Sequence, residues 1–381
     1  MSRFRAFCLL LGIVVFAATG FSAALTDSLK AGKADLKSAS VLTFGPEAIL
    51  FVGDSVGATL YALDTGDRTP AQTVQVNVKG INEKIAAMLG TMPDQIAIND
   101  LAVNPISKKM YLAVTRGKGA TAMPVIVRVD ATGKIETLSL DNVKYSKVTL
   151  MDPPDSKEGA FNPLLVTGGN PRLDAFSDLA FVDGKVLVAG LSNEEFASTL
   201  RAVSFPFAQD AKGTGIEIWH GSHARFETQA PIHTFVPYKI KGETNILASY
   251  TCTPLVKISV ADLKPGAKVR GTTIAELGSG NRPLDMIAYT KGGHNYFLMS
   301  NTNRGMMKIS ADNLEGYKPI TTPTDIAGVP YEVVKTVQDV SPYPAVAQQG
   351  VEQLDKVDET TAAVVLRTST GTRDLQTIAL P

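Results

Sequence analysis

Three of the four histidines crowd one short stretch, Trp219-His220-Gly221-Ser222-His223 and then His233. A His-x-x-His pair suits a metal when a turn brings both imidazoles to one point, and Gly221-Ser222 can supply that turn. The same residues, IEIWHGSHARFET, also read as two outer strands around a hairpin, with His220 and His223 at the surface. Cys252 lies in Tyr250-Thr251-Cys252-Thr253-Pro254. On a strand, Tyr250 and Cys252 share a face. That would set a soft thiolate, or a cysteine open to oxidation, beside a phenol; a small buried hydrophobe is the alternative. Thiolate with imidazole selects copper or zinc over calcium. The metal expectation is therefore a copper or zinc ion on His233 and Cys252, joined by His220 and His223 if the hairpin folds inward. Tyr250 would stand in or next to the ligand set.

A second chemistry rests on arginine. Gly168-Gly169-Asn170-Pro171-Arg172 and Gly278-Ser279-Gly280-Asn281-Arg282 are alike: a tight Gly-Asn turn, then a projected guanidinium. With Arg116, Asn303 and Arg304 at related positions, they could gather around a small anionic ligand such as a carboxylate. Salt bridges between neighbouring structural units are the competing role. The chain has no Gly-x-Ser-x-Gly elbow, Walker loop, dinucleotide fingerprint, Cys-x-x-Cys-His or His-Glu-x-x-His motif. Its single tryptophan, Trp219, argues against a carbohydrate surface built on aromatic platforms and against a two-tryptophan quinone cofactor.

The elements that must position these residues repeat along the chain. Asn99-Asp100-Leu101-Ala102-Val103 leads through NPISKK to MYLAVTR. Ser177-Asp178-Leu179-Ala180-Phe181 leads through VDGK to VLVAGLSN. Leu284-Asp285-Met286-Ile287-Ala288 leads through YTKGGHN to YFLMSNTN. Each unit is Asp, an apolar strand, a tight polar turn and a second apolar strand; a third strand follows. Residues 48–64 and 234–263 are weaker copies, and 351–380 supplies strands that could close a ring against the N-terminal ones. In the 234–263 copy, Thr234 replaces the repeated Asp. His233 then starts an innermost strand beside a central channel, with a backbone-bonded loop histidine as the alternative. Cys252 ends a second strand, where other copies carry Asp54, Arg116, Asn193 and Asn303. His294, in the KGGHN turn, reads as solvent-exposed. The recurring Asp100, Asp178 and Asp285 read as staples bonded to turn amides, with a carboxylate ring for a hard cation as the other option. Residues 80–97 include a short helix, and 152–172 and 315–349 are long loops.

The expected fold is an all-β propeller of seven blades, with six the next count and a large β-sandwich the competing fold. DLAVNPISKKMYLAV, DLAFVDGKVLVAG and LDMIAYTKGGHNYFLMS resemble the blades of secreted bacterial β-propellers of the YVTN and NHL kind. The resemblance is architectural, and it implies that ligands, metals or partners are taken at the channel mouth and its loops.

The N-terminus fits export. Arg3 and Arg5 precede the apolar run Ala6–Ala18, and Ser22-Ala23-Ala24 offers a cleavage site, so residues 1–24 read as a signal peptide and 25–381 as one propeller domain. The expected location is the periplasm or the exterior. No later segment has 18 uninterrupted apolar residues, so no membrane span is expected in the mature chain. Basic and acidic residues number 37 each, which leaves no surplus for neutralising phosphates and excludes nucleic acid as a partner. Without the leader, Cys252 is the one cysteine, so no internal disulfide can form. Three functions fit: a propeller binding a ligand or an envelope protein without catalysis; a metal-dependent redox enzyme on the same scaffold; and a structural envelope protein.

Overall fold

The computed structural model describes residues 24–381 except 73, 158, 209, 210, 253, 278–280, 325–333 and 337–349, and of 334–336 the backbone only. The signal-peptide expectation falls outside the described residues. Within them the chain is a β-propeller of six blades, each an antiparallel sheet of four or more strands. Numbered by their innermost strands, these begin with Val41–Phe44 (blade 1), Ile96–Val103 (blade 2), Asp178–Val182 (blade 3), Thr234–Ile240 (blade 4), Pro283–Lys291 (blade 5) and Val351–Lys356 (blade 6). The three repeats found in the sequence are the inner hairpins of blades 2, 3 and 5, and the two weaker copies lie in blades 1 and 4. The helix expected within 80–97 is Ile81–Met88, the only α-helix among the described residues.

Blade order around the channel is not chain order. The innermost strands neighbour one another in the sequence 1, 3, 4, 5, 6, 2 and back to 1. After the third strand of blade 1, Thr59–Asp64, the chain crosses to blade 6 and leaves Asn77–Val78 as its outermost strand. It then builds all of blade 2 and returns with Val143–Thr149, the fourth strand of blade 1. Blade 2 is thus an insertion within blade 1. Strands that look like surplus blades in the sequence complete existing ones, so the count is six rather than seven.

The middle strands pack sheet against sheet on both faces and read as continuous apolar runs. Met110 through Val114 in blade 2 are wholly buried. Between blades 1 and 3, Phe51, Phe176, Val188 and Phe205 share one cluster, with Phe51 edge-on to Phe205 at 5.0 Å. Full burial of each such side chain contributes about 1.5–3 kcal/mol.

The repeated aspartates fasten blade to blade. Asp178 accepts its neighbour's amide, Leu179 N–H, at 2.7 Å and reaches across the seam to accept Phe235 N–H of blade 4, also at 2.7 Å. Asp100 does the same for Leu42 at 2.6 Å, Asp285 for Leu354 at 2.7 Å, and Asp355 for Val103 at 2.6 Å. Satisfying an amide that would otherwise be orphaned in the channel wall explains why Asp recurs at this position.

Candidate metal centre

The fourth strand of blade 3, Thr214–His220, ends in a tight turn at Gly221–His223 and returns as the outer strand Arg225–Glu227. The hairpin read from IEIWHGSHARFET is therefore real, but it folds inward. His220 is 1% exposed and turned inward, whereas His223 stays exposed, as the surface reading has it. The two rings lie 3.9 Å apart between centroids. One carboxylate holds both: Glu227 accepts from His220 Nδ1 at 2.9 Å on one oxygen and from His223 Nδ1 at 2.7 Å on the other. Burial pushes the Glu227 carboxyl up, but the hydrogen bonds from His220 and His223, with Arg225, outweigh it and bring it to about 2. An ionised Glu227 can only accept, so each imidazole carries a proton on Nδ1, and Nε2 is the ring atom left for a metal.

Cys252 comes from blade 4. A ring nitrogen of His220, one of His223 and the Cys252 thiol all lie within 4.8 Å of one another. Cys252 is not on a strand. It sits in a turn with φ +63°, a left-handed conformation rare for a side-chain-bearing residue, and its amide is tied to Asn281 O at 2.9 Å. The turn breaks the strand alternation, so Tyr250 does not share its face. Tyr250 is instead packed in the core between blades 3 and 4, and burial pushes its phenol up. Around the histidines, the buried atoms His220 Nε2, Ser222 Oγ and Thr324 Oγ1 have no hydrogen-bond partner among the described residues. Glu276, at the end of the outermost strand of blade 4, brings Oε2 to 3.8 Å from His220 Nε2, while Gly221 N–H fixes its Oε1 at 2.5 Å.

His233 lies outside this cluster. It is buried at the channel mouth, where its Nε2 meets Oγ1 of Thr251, the residue before Cys252, at 2.9 Å. Burial, with the nearby Arg282 charge, lowers it to about 4 and keeps it neutral. The mouth itself is a cavity of about 720 Å³ bounded by the starts of the innermost strands, including Asp100, Asp178 and Asp285, with His233 and Arg282 in its wall.

Of the five residues assigned to an anionic ligand, Arg282 alone lines that cavity. Its Nη2 is held by the carbonyls of Leu165 and Val166 at 3.0 and 2.6 Å. Arg172 donates to Pro154 O and Val56 O, and Arg116 to Leu89 O. Asn303 and Arg304 lie in the turn between Asn301 and Gly305, with Asn303 exposed. Arg116, Arg172 and Arg282 each hold loop carbonyls rather than converge on one point.

Glu227 and Glu276 are absent from the sequence reading. Glu227 has a readable signal, four residues after His223 on the returning strand of the hairpin. Glu276 has none, because its place depends on the packing of blade 4 against blade 3.

No known protein family and no curated protein matches the chain. Solved structures do. A chain of the mitotic checkpoint complex is 9% identical over 99% of both chains, with a TM-score of 0.38. The PQQ-bound aldose sugar dehydrogenase of Streptomyces coelicolor is 10% identical over 92% of this chain and 96% of its own, with a TM-score of 0.33. A streptogramin B lyase is 10% identical over 92% and 97%, at 0.34. Likenesses this distant carry no argument about function, and the fold is read from the sheets themselves. The chain is a six-bladed β-propeller.

Proposed function

We propose that this chain is an exported propeller that binds one transition-metal ion, zinc or copper, through His220, His223 and Cys252. One observation carries the reading. Glu227 shares its two oxygens between the Nδ1 atoms of both histidines, which leaves their Nε2 atoms for a metal, and a ring nitrogen of each histidine lies within 4.8 Å of the Cys252 thiol. A carboxylate behind each ligating imidazole is the usual support of a metal-bound histidine. Two imidazoles and a thiolate suit zinc or copper and not calcium or magnesium. His233 and Tyr250 are left out of the ligand set.

The test is elemental analysis of the protein purified from the periplasm. About one zinc or copper per chain is expected, lost in His220→Ala and in Cys252→Ser and retained in His233→Ala. Substoichiometric metal that the first two variants leave unchanged would refute the reading. The channel-mouth cavity supports a second function, binding of a small ligand without chemistry. For a ligand held there, Arg282 and His233 are the contacts of choice, and Arg116, Arg172, Asn303 and Arg304 are not.

A further inference from the structure

We infer that the His220–His223–Cys252 centre leaves one coordination position to water and is hydrolytic, with Glu276 accepting the proton of the metal-bound water during attack on a neutral carboxylic ester or amide. The inference rests on the metal reading above and adds an activity to it. A tetrahedral zinc with bonds near 2.0–2.3 Å sets its ligand atoms about 3.3–3.8 Å apart. Glu276 meets that spacing to His220 Nε2, at 3.8 Å, yet it does not join the set whose donor atoms all lie within 4.8 Å of one another. It stands beside the fourth position rather than in it. Three protein donors and an open place are the mark of catalytic zinc, and closed sets of four are the mark of structural zinc.

The surroundings fit a reacting ligand. Gly221 is where a side chain cannot be: an added Cβ would lie 2.6 Å from Thr324 Oγ1 and 3.0 Å from Glu276 Oε1. The Gly221 backbone is packed closely against Thr324 and Glu276, and the buried hydroxyls of Thr324 and Ser222 have no partner among the described residues and are free to donate to a carbonyl oxygen. The nearby carboxylates of Glu227 and Glu276 disfavour a phosphate dianion and leave a neutral acyl group as the fitting substrate. In the step, the O–H bond of the bound water breaks and its proton passes to Glu276. The hydroxide oxygen bonds to the carbonyl carbon, whose π pair moves onto oxygen. Collapse expels the alkoxide or amine, which takes the proton back from Glu276, giving acid and alcohol or amine.

Cobalt(II) substitution separates this proposal from its foundation. A cobalt–thiolate band that disappears in Cys252→Ser and His220→Ala is expected; without it, the metal reading itself fails. Given the band, azide should shift the cobalt d–d spectrum by binding the open position. Zinc-loaded protein should hydrolyse p-nitrophenyl acetate above the chelated control. Glu276→Gln should keep the zinc and the cobalt band while lowering that hydrolysis about 10²–10⁴-fold. A spectrum indifferent to azide, a Glu276→Gln variant that binds metal as weakly as a protein missing a ligand, or hydrolysis no faster than the chelated control would each overturn the proposal.

Discussion

Replacing Glu227 with Gln keeps the side-chain shape and removes one acceptor. The carboxylate takes hydrogen bonds from His220 Nδ1 and His223 Nδ1 on separate oxygens. A glutamine has one carbonyl oxygen, and its amide nitrogen can only donate. One imidazole must then accept at Nδ1, move its proton to Nε2 and cease to be a metal donor at that atom. Carboxylates behind ligating histidines are worth about 10–100-fold in metal affinity. Because the change silences one of three donors, the expected loss lies at the top of that range, about 100-fold or close to 2.8 kcal/mol. The assay is competition for zinc between the protein and a chromophoric chelator. Thermal unfolding of the metal-free proteins is the control, since Glu227 is 9% exposed and its loss could also loosen the hairpin. Unchanged zinc affinity in a folded variant would refute the claim that Glu227 sets both tautomers.

Two further outcomes follow from other parts of the fold. Burial raises Asp178 to about 7 and Asp355 to about 6, and raises Asp100 and Asp285 as well. A carboxyl with a raised folded pKa binds protons more readily in the native state, so its stabilising contribution is full below about 3.8 and is lost as pH climbs through the folded value. Metal-free protein should therefore be harder to unfold in urea at pH 5 than at pH 7.5. Asp178→Asn should flatten that slope by on the order of 1–3 kcal/mol, allowing for water in the channel; an equal slope in the variant would remove Asp178 as its source. Arg282→Met frees the carbonyls of Leu165 and Val166 and should cost about 1–3 kcal/mol in urea unfolding. Unchanged stability would mean that Arg282 does not hold the 164–167 loop.

The propeller was legible because each blade repeats a local pattern: an Asp that must satisfy amides, two apolar strands and a turn of fixed chemistry. Strand alternation and turn residues are properties of neighbours in the chain, and a sequence states them directly. The number of blades was not, because it depends on which strands share a sheet. Asn77–Val78 and Val143–Thr149 finish blades begun elsewhere, and no local pattern says so. The metal cluster divides in the same way. His220 and His223 were legible as a pair because one tight turn joins them. That Cys252 meets them, and that His233 and Tyr250 do not, depends on a left-handed turn between the second and third strands of blade 4. A side chain two residues along a strand shares a face, but one positive φ cancels the rule.

A centre divided between two blades can be held ready only if the blades cannot slide. His220 and His223 belong to blade 3; Cys252 and Glu276 belong to blade 4. That seam is tied at both its inner and outer ends. Asp178 of blade 3 grips Phe235 N–H of blade 4 at the channel. At the rim, Lys268–Arg270, from the connection between the last two strands of blade 4, pairs in parallel with Thr214–His220 of blade 3, and Gly271 N–H reaches Glu217 O at 2.9 Å. The hairpin that carries His220 and His223 is thus hydrogen-bonded into the neighbouring blade just before the strand reaches His220. Cys252 in turn is tied to Asn281, and Asn281 Nδ2 donates to Asn301 Oδ1 of blade 5 at 3.0 Å. Ligands carried on strand ends that are locked by their neighbours need little reorganisation to take a metal, which is the condition for tight and selective binding. The staple that closes the ring and the donors that would hold the ion therefore belong to one mechanical unit, and weakening the seam at Asp178 would loosen the site without touching a ligand.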